Sequence, residues 1–168
     1  MAIFSGNIDN LRELYTTQLR YLLSTEDQIA TALPKMIEAA TDVTLKHGLQ
    51  AHLRETEVQA QRLKTILTDL SDSDSDKKCA VTSALISAGE TTIKAANDDA
   101  VRDAGIIASA QKIEHFEIAS YGAAREWANL LGETRQAALL EQTLQEEIHA
   151  DKVLTEVSEH RNLEAAHA

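Results

Sequence analysis

The sequence predicts an all-α protein: four long helices bundled antiparallel, with a fifth, shorter helix in one connection. Three observations predict it. Apolar residues recur at three- and four-residue spacing over four long segments. Aromatic residues make up 4% of the chain and there is one proline, both low for a β-rich fold. Alanine, leucine, glutamate and glutamine, all good helix formers, are abundant.

The elements follow in order within a single domain, residues 1–168. The first helix, about 8–40, carries the stripe Leu11, Leu14, Tyr15, Leu19, Leu22, Ile29, Leu33 and Ile37. Asn7 or Asp9 is its expected N-cap, and Pro34 is expected to kink it or start a new turn. The second, about 42–70, opens at Thr41-Asp42 and turns Leu45, Leu49, Leu53, Leu63, Ile66 and Leu70 inward. The run "SDSDSDKK", Ser71 to Lys78, is an expected exposed connection. A shorter helix, about 79–96, carries Val81, Leu85, Ile86 and Ile93. The third long helix, about 98–131, starts at the cluster Asn97-Asp98-Asp99 and stops before Gly132. The last runs from about 134 to 157, and the tail 158–168 is expected to be partly disordered. A helix of about 30 residues spans roughly 45 Å. The connection between the second and third long helices, with its extra helix, is long enough to cross that length. One such crossover in a four-helix bundle is the ferritin-like topology.

Charge narrows the function classes. A net charge of −11 argues against a nucleic-acid partner and suits a protein that attracts cations. The lone Cys79 excludes an internal disulfide. The N-terminus "MAIFSGNIDN" has no basic region and no long apolar run, so neither signal peptide nor membrane span is expected, and the expected location is cytoplasmic. The six glycines are scattered and form no nucleotide-binding loop. Gly105 and Gly122 fall inside the third long helix, where each costs roughly 1 kcal/mol relative to alanine. That face is therefore expected to meet a neighbouring helix or the partner of a homodimer.

Acids interrupt the apolar stripes. The first helix has Glu26 between Leu22 and Ile29; the second runs His52, Glu55, Gln59, Leu63, Ile66. The third long helix has Glu114 in the series Ile107, Gln111, Ile118, Tyr121, with Glu117 able to join through Tyr121. The last has Glu147 and Asp151 between Leu144 and Leu154. The pattern repeats, since Glu26 precedes Glu55/Gln59 and Glu114 precedes Glu147/Asp151, at separations of 29 and 33 residues. Converging carboxylates do not all ionise in a low dielectric, and divalent ions would neutralise them. The expected site is thus a metal centre on Glu26, Glu55, Glu114 and Glu147, with Gln59, Asp151 and Glu117 beside it. Glu57 is expected in solvent. Of the histidines, His52 reads as a ligand, a donor behind the ligands or a buried imidazole. His115 falls at the bundle edge, and His149 forms an E-x-x-H with Glu146 just beside the seam. His47, His160 and His167 read as surface residues.

The stretches "STEDQIATAL", "HLRETEVQAQRL", "VRDAGIIASAQKIEHFEIASYG" and "LQEEIHADKVL" resemble the bacterial stress-protein family of YciF and YciE, over about residues 8–157. The resemblance implies a ferritin-like bundle similar to the di-iron domain of rubrerythrin, a dimer, a part in the general stress response, and a central acidic site on Glu26, Glu55, Glu114 and Glu147. The broader ferritin-like pattern sets a histidine three residues after each bridging glutamate. Here Val58 follows Glu55 and Ala150 follows Glu147 at that distance. A site so rich in oxygen ligands holds iron less firmly, and manganese, magnesium or calcium competes better. Two functions are expected from this: a di-metal oxidoreductase, using iron or manganese on peroxide or ferrous iron, or a non-enzymatic dimeric stress protein whose acidic core is structural.

Overall fold

Helix α1 (Leu11–Ala39) begins where the Asn10 side chain accepts the Glu13 N–H at 3.0 Å. The cap therefore falls one residue past Asp9, whose own N–H is bonded by the Glu13 carboxylate at 2.8 Å. The computed structural model describes residues 8–72 and 77–168, so Asn7 and the middle of the acidic connection lie outside the described residues. Pro34 sits on the exposed side of α1 and does not end it. The helix runs on to Ala39, and the missing proline N–H costs the Ala30 carbonyl its usual helical partner.

Helix α2 (Val43–Asp69) is capped by Asp42, which accepts the Leu45 N–H at 2.8 Å. Helix α3 (Ala80–Ala95) fills the crossover, and α4 (Asp99–Leu130) is capped by Asp98 through the Val101 N–H at 3.0 Å. Gly132 closes α4 at φ +77°, where a side chain would be strained. The Glu133 N–H reaches the Ala128 carbonyl at 2.9 Å, and the Gly132 N–H reaches that of Asn129 at 3.1 Å. No strand occurs among the described residues.

Helix α5 spans Thr134–Ala165, two turns beyond the expected stop near residue 157. The reason is a long-range tie. Arg161 donates to the fully buried Asp103 of α4 at 2.7 Å. Asp103 also accepts from the Thr41 N–H (2.8 Å), the Thr41 hydroxyl (2.7 Å) and the Asp42 N–H (2.8 Å). One carboxylate thus joins the α1–α2 turn, α4 and the end of α5.

The apolar core comes in two clusters. One gathers Tyr15, Leu19, Leu22, Leu63, Ile66, Tyr121, Ala124 and Leu140; the other gathers Ile29, Leu33, Leu45, Leu49, Ile106, Ile107 and Leu154. Along α1 and α5 the chain passes from the first cluster to the second, and along α2 and α4 from the second to the first. Neighbours α1 and α2, and α4 and α5, are therefore antiparallel, while α2 and α4 run the same way and need the long crossover. Between the clusters lies a layer of buried polar side chains.

Helix α3 covers the α1–α4 side. The Cys79 N–H donates to the Ser24 hydroxyl at 2.9 Å, and Thr25 and Thr82 share a buried hydrogen bond of 2.8 Å. Two glycines let it lie close to α4. A Cβ at Gly89 would stand 3.1 Å from Ser109 Cβ, and one at Gly105 would stand 3.0 Å from Thr92 Cγ2. The Gly105 face thus meets α3 of the same chain, whereas a Cβ at Gly122 would meet nothing within 4 Å. Replacing Gly89 by leucine is expected to push α3 off α4 at a cost of about 1–3 kcal/mol. Limited proteolysis within α3, together with a lowered melting temperature, checks this.

Candidate metal centre

The polar layer is set by which residues share a helix face. On α2 the buried run is His52, Thr56, Gln59, Leu63, Ile66, with steps of four and three. On α4 it is Asp103, Ile107, Ala110, Glu114, Glu117, Tyr121, again at that spacing. Helix α1 adds Glu26 and α5 adds Glu147, both 0% exposed. One ligand atom from each of His52, Glu114, Glu117 and Glu147 lies within 4.8 Å of all the others.

Glu26, Glu114, Glu117 and Glu147 are all buried in this layer, and Gln59 is fully buried with them. Glu55 stands apart. It is half-buried at the rim, and Thr56 holds the inward position, because residues 55 and 56 both fit a step of three or four between His52 and Gln59 yet point about 100° apart. Asp151 is also at an edge, accepting from Gln111 at 3.3 Å with His115 Nε2 at 3.4 Å. Gln111 and Ile118 flank the α4 stripe rather than fill it. Glu57 is exposed, as are His47, His149, His160 and His167. Glu146 is taken up by an ion pair with Arg62 at 2.8 Å.

Burial controls the charge state. It raises Glu26, Glu114 and Glu117 well above the usual carboxylate range, and neighbouring carboxylates add to the rise. Burial pushes Glu147 up to about 7, and the nearby Glu146 and Glu55 carboxylates add to the rise. The acids crowd one another: Glu147 adds to the rise of Glu114, and Glu26 and Glu147 add to that of Glu117. Glu114 and Glu117 sit on α4, one turn apart. The Tyr121 hydroxyl donates to Glu26. Burial lowers His52 to about 4, so the 3.3 Å approach of its Nε2 to Glu114 joins two neutral groups and is no ion pair.

The residues present fit a metal ion, and the orphaned atoms say so. Both oxygens of Glu117, both of Glu147, Glu26 Oε2, Glu114 Oε2, Gln59 Oε1 and both nitrogens of His52 are buried without a hydrogen-bond partner. Buried polar atoms left so are costly, and here they face one another. Four carboxyls and one imidazole form a donor set suited to iron or manganese. Sequence reasoning missed Thr56 and Asp103. The signal for Asp103 was present: it continues the stripe of Glu114 and Glu117 at helical spacing.

An antiparallel four-helix bundle with one long crossover and a carboxylate-rich centre between its core layers defines a ferritin-like protein. The chain belongs to the family described as "Domain of unknown function (DUF892)", which matches residues 10–167. It is 35% identical to Protein YciF of Escherichia coli strain K12 over 153 residues, 90% of this chain and 92% of that protein. The solved structure of that stress protein aligns with a TM-score of 0.88 over 92% of this chain and 98% of the other, at 33% identity. YcfI from Rhodopseudomonas palustris aligns at 0.87 over 91% and 98%, with 38% identity. Symerythrin from Cyanophora paradoxa, at 17% identity and a TM-score of 0.66 over 95% and 89%, shares the fold alone. No helix among the described residues is long and apolar enough to cross a membrane.

Proposed function

We propose that this protein holds one or two divalent ions, iron or manganese, between its core layers and acts in the stress response as an oxidoreductase on peroxide or ferrous iron. The convergence of unpartnered buried oxygens from α1, α4 and α5 with the His52 imidazole supports this reading above all else. Glu26, Glu114, Glu117, Glu147 and His52 would be the ligands. Tyr121, bonded to Glu26, and Gln59, whose amide donates to Glu146 beside Glu147 at 3.1 Å, would orient them. A bound ion would supply the redox equivalents and the Lewis acidity. The chain's own part is to release the protons that burial keeps on Glu26, Glu114, Glu117 and Glu147, and to keep water out with the apolar layers on either side.

Magnesium or calcium would compete for so oxygen-rich a site, as no histidine follows Glu147 at three residues. Elemental analysis of protein purified without added ions, then peroxide consumption after reconstitution, tests the reading. Stoichiometric iron or manganese with turnover is expected, and neither metal with no turnover would overturn it. The upward shift of all four buried acids favours one alternative, a non-enzymatic dimeric stress protein whose acids are held by protons alone. In that case Glu114→Gln and Glu147→Gln would raise stability and change nothing else.

A further inference from the structure

We propose that the cleft between α2 and α5 is the path by which a divalent cation reaches the buried centre, with Glu55 and His149 as a holding pair at its mouth. This rests on the metal-centre reading above. A cavity of about 90 Å³ lies between these helices, with His52 and Glu114 on its lining together with Glu55 and His149. The first two are buried and keep unpartnered nitrogens and an unpartnered oxygen; Glu55 is half-buried and His149 is exposed. The cavity therefore connects polar ligand atoms at its floor to ligand-capable side chains near solvent. A second hollow, of about 310 Å³, adjoins it and shares Ala51 and Glu55. Two arginines border that hollow; Arg62 is bound to Glu146, and Arg54 is exposed.

On the opposite side of the bundle a cavity of about 360 Å³ under α3 is lined by Leu85, Ile86 and Ile93, and Glu90 on its lining pairs with Lys35 at 3.3 Å and Lys94 at 3.8 Å. It ends against Met36 and Ile113, and past them a hollow of about 10 Å³ touches His52 and Glu114. A cation entering there meets two ammonium groups and then an apolar layer, with its one lining carboxylate already paired. Through the α2–α5 cleft it meets a carboxylate and an imidazole before the floor. A protein of net charge −11 gathers cations at its surface, and a negatively lined cleft focuses them.

The test follows Co²⁺ uptake by the metal-free full chain, using visible absorption in a stopped-flow instrument. Glu55→Gln and His149→Gln are expected to load about tenfold more slowly than wild type, with the final Co²⁺ content reached in the end. Ala51→Phe, which plugs the cleft, is expected to slow loading similarly, and Ala32→Phe, which fills the far cavity, to load at the wild-type rate. Loading at the wild-type rate in both Glu55→Gln and His149→Gln overturns the path and leaves the metal centre standing, as does slow loading confined to Ala32→Phe. Wild type that takes up no Co²⁺ removes the metal centre and the path together. Both charge variants are close in size to the native side chains and sit at the rim, so the comparison survives if Ala51→Phe fails to fold.

Discussion

Replacing Asp103 by alanine is expected to lower the melting temperature by roughly 10 °C, from a loss of about 3–5 kcal/mol. The side chain is 0% exposed and accepts four hydrogen bonds, from both donors of Thr41, from the Asp42 N–H and from Arg161. Without it the Arg161 guanidinium, itself largely buried, keeps its charge and is left with Glu164 of its own helix as its ion-pair partner. The last turns of α5 are then expected to fray, which hydrogen exchange over 158–165 would report. Acid gives an independent check. Burial alone would raise the Asp103 carboxyl, but the bonds from Thr41, Asp42 and Arg161 outweigh burial and hold it below its usual value. A carboxyl depressed in the folded state stabilises fully above its unfolded value of about 3.9, and the contribution is lost as pH falls through the lower folded value. The gap between wild type and Asp103→Ala should therefore be full at neutral pH and close in acid. An unchanged gap down to pH about 2 would show that the four bonds are not what stabilises this corner.

How far the sequence carried the fold depends on where periodicity is unambiguous. The α1 stripe from Tyr15 to Leu33 is apolar and continuous, so both the helix and its inward face follow from spacing alone. The caps at Asp42 and Asp98 are equally local, because a short acidic side chain reaches its own N3 amide. The end of α5 was not legible. Nothing in "EHRNLEAAHA" shows that Arg161 has a buried partner 58 residues earlier. The centre divides in the same way. Glu147 lies seven residues after Leu140 and seven before Leu154, so spacing alone sets it inward, whereas Thr25 fits the same step as Glu26 and is buried beside it. On α2, Glu55 and Thr56 compete for one slot, and chemistry favoured the acid while packing took the threonine.

That substitution of roles has a consequence for the centre. With Glu55 at the rim, α2 contributes an imidazole and an amide inward, and α4 contributes two carboxyls one turn apart. The donors are unevenly spread, with three acids on α4 and α5 against one on α1. Glu114 stands beside the His52 imidazole at 3.3 Å, and one ligand atom from each of His52, Glu114, Glu117 and Glu147 lies within 4.8 Å of the others. A single ion there would draw on both acids of α4 at once.

The second large effect follows from those buried acids. Carboxyls whose folded pKa is raised stabilise the fold while protonated, and that contribution is lost as pH rises from the unfolded value toward the folded one. Burial holds Glu147 at about 7 and raises Glu26, Glu114 and Glu117 well above the usual carboxylate range. Metal-free protein should therefore weaken steadily as pH climbs from about 4.3 through neutrality. Ion binding needs the same groups deprotonated, so its stabilisation should grow over that window. With Mn²⁺ at a hundred times its dissociation constant, the gain is about 2.7 kcal/mol, a rise of roughly 5–10 °C in melting temperature. Glu147→Gln removes a ligand and a buried acid together. It should melt above metal-free wild type at alkaline pH and show little response to Mn²⁺. Thermal melts of both proteins across pH, with and without Mn²⁺, decide the matter: a wild-type shift that is absent at every pH, or one that Glu147→Gln keeps in full, would place the ion elsewhere or nowhere in this bundle.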